Sequence, residues 1–239
     1  MASRRQTYFV IVHSIAVIAS LIEHASAEVK PHGLIASGMV LQQGKPANIW
    51  GTADATETVT VAFRDRTATT KADAMGRWSV QVEPQQPGGP FTMTIAGNNT
   101  ITLRDVYVGD VWVASGQSNM GWPVATRVGT KELLGTENRS IRLFNVPPKL
   151  ADAVEDQVGG EWQACGPDSL LGFSAVTYYF GREIQATQQI PIGLIHASYG
   201  GSGIQQWASV EAKLKGTPAP TPHLAGTRHR RPSRDCTTG

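Results

Sequence analysis

Between residues 28 and 104, apolar and polar positions alternate in short runs. Val59, Val61 and Phe63 share one parity, as do Trp78, Val80 and Val82, and a two-residue period marks strands with one buried face. Further strands are predicted at 39–42, 47–50 and 91–95. Turn residues separate them at 44–46, 73–76 and 84–90, the last containing Gly88-Gly89. Short strands at even spacing predict a small all-β sandwich over 28–104, read as a structural or carbohydrate-facing accessory module. From about residue 105 the pattern changes. Apolar runs at 106–108 and 111–114 lead into Ser115-Gly116-Gln117-Ser118-Asn119-Met120, and 141–146 reads as a strand stopped by Pro147-Pro148. Residues 173–187 follow helical spacing, with Phe173, Val176, Phe180 and Ile184 on one stripe and Ser174 near the N-cap. A short buried strand at 192–195 precedes a second helical stretch over 204–215. Strands alternating with helices predict an α/β domain with a parallel sheet and flanking helices over 105–215.

The two ends read differently. Arg4 and Arg5 precede an apolar run over 8–22, and Ala25-Ser26-Ala27 follows as a small-x-small cut site. That order predicts a cleaved signal peptide over 1–27 and an exported chain, whether secreted, periplasmic or lysosomal. The apolar run is too short for a stable membrane anchor. Residues 216–239 hold Leu224 as their one large aliphatic, three closely spaced prolines and four arginines. Such a segment cannot bury enough apolar surface to offset its ordering entropy, so it reads as a disordered or frame-shifted tail.

Of the 239 residues, 41% are hydrophobic and 17% charged, with 25 Gly and 14 Pro, enough for a buried core and unlike a coiled coil or collagen. The formal charge of +2 comes from the ends: without Arg4, Arg5, Glu23, Arg228, Arg230, Arg231, Arg234 and Asp235, 15 basic and 17 acidic side chains remain. A faintly acidic body offers nucleic acid no electrostatic footprint. Cys165 and Cys236 are too few for a disulfide framework, and Cys236 falls in the tail, so a bridge between them is not expected. The six His are scattered and no Cys pair is close, so neither a metal nor another cofactor is implied.

Ligands of parallel sheets gather at the carboxyl ends of strands, where the first strand of the α/β segment delivers Ser118. A serine beside a glycine at such a corner can project as a nucleophile, with backbone N–H groups left to hold an oxyanion. The motif by itself is weak, because most Ser-Gly turns are only turns and Met120 stands where a nucleophile elbow has its second glycine. The run from Asp105 to Met120 resembles the first block of the sialate O-acetylesterases, members of the SGNH (GDSL-like) hydrolase superfamily. Met39-Val-Leu-Gln-Gln43 with Trp50-Gly51, the stretch from Phe173 to Glu183, and Pro191 to Gly203 with Trp207 resemble the same family.

The resemblance implies an SGNH-like parallel sheet and hydrolysis of acetyl esters on a sugar, with Ser118 as nucleophile. An O-acetylated sugar or glycan would be the substrate. Gly200 and Gly201 follow a strand, where bare backbone can approach a ligand or simply turn into the next helix. His196 lies within the family's strand-end sequence and reads as structural. Two later family blocks, one supplying an oxyanion-hole Asn and one the Asp and His of the base, have no counterpart here. The hydrolase domain is therefore expected to be incomplete and C-terminally truncated, with an unpaired sheet edge and doubtful activity. The alternatives are a non-catalytic carbohydrate-binding or interaction protein, and a truncated product without independent function.

Overall fold

The computed structural model describes residues 28–83, 85–126, 137–149 and 155–216. The expected signal peptide, the tail beyond 216 and Cys236 lie outside the described residues. The chain divides into two compact units at Gly201/Ser202.

Up to Gly201, two sheets form. A three-stranded antiparallel sheet has the order β1 (Lys30–Pro31), β3 (Ala47–Thr52), β6 (Arg77–Val82). The larger sheet has eight strands. In chain order they are β2 (Val40–Gln42), β4 (Thr58–Phe63), β5 (Arg66–Lys71), β7 (Gly88–Ala96), β8 (Thr100–Gly116), β9 (Asn138–Asn145), β10 (Trp162–Cys165) and β11 (Ile192–Ser198). Their spatial order is β10-β9-β11-β8-β7-β4-β5, with β2 also paired to β8. The alternating positions fall as the two-residue period requires: Val59, Val61 and Phe63 are buried on β4, and Trp78, Val80 and Val82 on β6. They share one core with Ile49, Met93, Ile95 and Leu103. Each such fully buried side chain contributes about 1.5–3 kcal/mol.

Strand β5 escapes the hydrophobic pattern because its sequence, Arg-Thr-Ala-Thr-Thr-Lys, has none. It is an edge strand, ended by basic residues and held to β4 by ladder bonds and a Thr60–Thr69 hydroxyl contact of 3.2 Å.

The apolar runs at 106–108 and 111–114 belong to a single 17-residue strand, β8. Its first part pairs antiparallel with β7 up to Val108, its middle parallel with β2, and Asp110 to Gly116 parallel with β11. Opposite β7, Leu103 and Val106 face Met93 and Phe91, so β8 carries an extra residue there, and Asp105 takes a φ of 56°. This bulge bends the strand from one set of partners to the next. Where β2 ends, Gln42 continues the pairing with its side chain: Oε1 accepts from Val111 N–H at 2.9 Å and Nε2 donates to Asp110 at 3.0 Å. Gln43 Nε2 donates to the same carboxylate oxygen. The remaining edge of β8, from Trp112 to Gly116, meets no strand among the described residues.

Three strands, β9, β11 and β8, are parallel neighbours, but β10 runs antiparallel to β9 and β7 antiparallel to β8. The expected parallel sheet is thus the middle of a mixed one with few helices. Helix α1 (Pro167–Leu171) is short; α2 (Ala175–Gln188) packs on β11. Its N-cap is Ser174, as expected, whose Oγ accepts from Thr177 N–H at 3.2 Å. The buried face matches the expected stripe only in part. Phe173 is buried and Ile184 half-buried against the core, but Val176 and Phe180 are exposed, and the helix rests on Ala175, Thr177, Tyr178 and Gly181. A Cβ at Gly181 would overlap the buried Leu194 side chain. The missing side chain lets the helix approach the strand at that residue, and this choice of contact rotates Phe180 outward against Trp112, ring centroids 5.0 Å apart.

From Ser202 to Gly216 the expected single helix is two pieces: a 3-10 turn at Ile204–Trp207 and α3 (Val210–Gly216), separated by extended backbone at Ala208.

Candidate active site

Strand β8 ends at Gly116, whose φ of 146° starts a turn closed by Met120 N–H to Gln117 C=O at 3.0 Å and Gly121 N–H to Ser118 C=O at 3.1 Å. Ser118 stands exposed on this corner. Its Oγ has one hydrogen bond among the described residues, a long one of 3.4 Å to Gln117 Oε1. The turn is pinned from two sides. Ser174 Oγ donates to the Met120 carbonyl at 2.6 Å, and Tyr199 N–H donates to the Gly116 carbonyl at 3.0 Å.

The second pin brings the loop after β11 beside the serine. A Cβ at Gly200 would lie 3.9 Å from both Cα and Cβ of Ser118, so bare Gly200 backbone borders the serine. Neither the Ser118 nor the Gly200 N–H is hydrogen-bonded within the described residues. Gly201 differs: nothing lies within 4 Å of its Cβ position, and its φ of 78° is one that glycine adopts without strain. A side chain at Gly200 would thus start against Ser118, whereas one at Gly201 would start in open space.

His196, on β11, is committed elsewhere. Its Nδ1 lies 2.7 Å from Asn145 Oδ1 and its Nε2 2.8 Å from Ser198 Oγ, with Phe173 edge-on to the ring. With the Asn145 oxygen as acceptor, Nδ1 carries the hydrogen and Nε2 accepts from Ser198. Burial lowers the His196 pKa, so the ring is neutral at pH 7. Ser198 Oγ in turn lies only 3.0 Å from where a Gly121 side chain would begin, beside the Ser118 turn. Asn145, Ser198 and Gly121 escaped the sequence reading; the signal for Asn145 was its place at the carboxyl end of a parallel strand. Cys165 is buried, and desolvation pushes its thiol up to about 11, which leaves it protonated and inert. Among the described residues no three His, Cys, Asp or Glu side chains gather to hold a metal.

The site thus places an exposed serine on a strand-end corner of a mixed α/β sheet, beside the bare backbone of Gly200. Comparisons with known proteins define the class. Residues 108–217 match the family model described as carbohydrate esterase, sialic acid-specific acetylesterase. The human sialate O-acetylesterase is 39% identical over 198 residues, covering 73% of this chain and 38% of its own length. The rat sialate O-acetylesterase is 38% identical over 205 residues, covering 75% of this chain and 38% of its own. The crystal structure of a carbohydrate acetylesterase from Xanthomonas citri superposes with a TM-score of 0.74 at 35% identity, over 77% of this chain and 43% of that one. The chain belongs to the sialate O-acetylesterase family, whose members are carboxylic ester hydrolases. It spans 38% of the length of these curated relatives.

Proposed function

We propose that the chain carries the nucleophile of an exported carbohydrate O-acetylesterase, which cleaves acetyl esters of sugars through an acyl-enzyme at Ser118. The observation that supports this most is the pairing of Ser118 with the Gly200 backbone, both N–H groups having no partner among the described residues. In this reading Ser118 Oγ attacks the acetyl carbonyl carbon and the carbonyl π electrons move onto oxygen. The Ser118 and Gly200 N–H groups then donate to the oxyanion. Loss of one such donor typically costs about 3–4 kcal/mol of barrier. Collapse expels the sugar oxygen, which takes a proton and leaves as alcohol, and water releases acetate from Ser118.

A base must accept the Ser118 proton, and the described residues place none within hydrogen-bond distance of Oγ. His196 cannot serve while both ring nitrogens are held by Asn145 and Ser198. In a triad that acts as a unit, a missing base costs on the order of 10⁶ in kcat. The 239-residue chain is accordingly proposed to acylate slowly and to turn over negligibly. The relatives' names support an O-acetylated sugar as substrate, with sialic acid, xylan and other glycans all carrying such esters. The residue order of 1–27 supports export, and the strands before β8 support an accessory β-sandwich. The exposed serine without a nearby base also supports a second reading, a carbohydrate-binding protein without turnover.

Mass spectrometry after exposure to 4-nitrophenyl acetate separates the two. Acetylation of Ser118 in preference to other exposed serines, lost in Ser118→Ala, is the result expected of the esterase site. Acetyl groups spread evenly over surface serines would remove the oxyanion-hole argument. Rapid steady hydrolysis abolished by Ser118→Ala would show that a base exists within the chain.

A further inference from the structure

Pleating of the three-stranded sheet sends Ile49 and Trp78 into the core and Asn48, Trp50, Arg77 and Ser79 to the opposite face. The outer face of a sheet is ordinarily polar, yet this one carries a half-buried tryptophan. The half-buried His32 ring stacks on it at 4.7 Å with 27° between planes. Leu34 N–H donates to His32 Nδ1 at 3.2 Å and fixes the ring. Residues 155–157 form the far wall, and the groove between encloses about 450 Å³. That volume and mixture, an aromatic wall with a few placed polar groups, suits a small organic ligand.

The polar groups specify which kind. Asp73 and Arg77 neutralise each other at 3.0 Å, as do Glu155 and Lys149 at 2.6 Å. His32 is held neutral at pH 7 by burial, which outweighs the pull of Asp156. Asp156, which faces the groove, has no ion-pair partner among the described residues. Asn48 Oδ1 accepts from Ser79 at 2.6 Å and Gln157 Oε1 from Gly33 N–H at 3.2 Å, which turns both amide NH₂ groups into the remaining donors. Two neutral donors, one carboxylate acceptor and a flat aromatic wall match the hydroxyls and the C–H face of a pyranose. The single negative charge opposes an anionic sugar. We propose that this groove is a second saccharide site, separate from Ser118, which binds a neutral sugar unit.

The test is an NMR titration of the ¹⁵N-labelled 239-residue chain with lactose, cellotriose and xylotriose, following the Trp50 indole N–H, with 3′-sialyllactose as the charged partner of lactose. At least one neutral sugar should shift the Trp50 signal saturably. Trp50 also packs on the core, so the exposed groove residues supply the variants. Asn48→Ala should weaken binding by about 3- to 10-fold, one neutral hydrogen bond's worth, and Asp156→Ala, which removes a charged acceptor, by about 10-fold or more. 3′-Sialyllactose should bind about threefold more weakly than lactose, from one like charge about 7 Å away in water. Ser118→Ala should leave the titration unchanged, so a failed esterase reading and a failed groove give different results. The proposal is overturned if no neutral sugar moves Trp50, if neither groove variant weakens binding, or if 3′-sialyllactose binds more tightly than lactose. It is overturned equally if Ser118→Ala abolishes the response.

Discussion

Removing the Ser174 hydroxyl tests how helix α2 and the Ser118 turn support each other. Ser174 is fully buried, and its Oγ makes three hydrogen bonds to nitrogen and oxygen, with Met120 Sδ a further 3.9 Å contact. It accepts from Thr177 N–H at 3.2 Å and from Thr177 Oγ1 at 2.8 Å, and it donates to the Met120 carbonyl at 2.6 Å. Ser174→Ala loses the N-cap, worth about 1 kcal/mol. It also leaves the Met120 carbonyl without that donor and the Thr177 hydroxyl with only the Met120 sulfur, 3.6 Å away, a further cost of about 1–2 kcal/mol. The sum is about 2–3 kcal/mol. For a chain of this size that lowers Tm by about 4–12 °C. Thermal unfolding by circular dichroism measures it, with Thr187→Ala as control, since Thr187 Oγ1 donates to the Glu183 carbonyl on the exposed side of the same helix. The control should shift stability by about 0.5 kcal/mol or less. If Ser174→Ala and Thr187→Ala prove equal, the buried hydroxyl does not tie the helix to the turn.

Two further outcomes are expected. Burial holds the folded His196 pKa below its unfolded value of 6.5, so the unfolded chain binds the extra proton first as pH falls. The His196 contribution to stability is therefore complete above about pH 6.5 and is lost progressively as pH falls toward the folded pKa. Denaturant midpoints should fall with acidification over that window, and fall less steeply in His196→Gln; equal slopes would contradict it. His32, also lowered by burial, adds to both slopes alike. The Cys165 thiol, raised to about 11, should resist iodoacetamide at about pH 8 in the native protein and react once guanidinium unfolds it. Peptide mapping reads this directly, and native-state labelling of Cys165 would refute its burial.

Local pattern carried much of the fold. The two-residue alternation in β4 and β6, the N-cap at Ser174 and the Ser-Gly corner at 116–118 each depend on neighbours within a few residues, so they were legible without coordinates. The misses share a cause. Strand β5 has no apolar run to betray it, and its place is decided by pairing with β4. The stripe through Val176 and Phe180 fits helical spacing as well as the true face does. A contact distant in sequence, Gly181 on Leu194, chooses between them. The continuity of β8 depends on a bulge at Asp105, which hydrophobicity does not register.

At the candidate site the same division holds. Residue types and short spacings were enough to mark the serine at a strand end, the blocks that carry the family, and the faintly acidic body. Three-dimensional packing was needed to set Gly200 beside Ser118, and to tie His196 to Asn145 and Ser198. It also set residues 155–157 opposite Trp50 to make a groove. Each of these joins segments from 51 to more than 100 residues apart, apart from the short Ser198 link. The first two form because the parallel strands β8, β11 and β9 bring their carboxyl ends to one side of a sheet. The groove forms because a later loop passes over the antiparallel sheet, and a linear pattern holds no record of which segments meet.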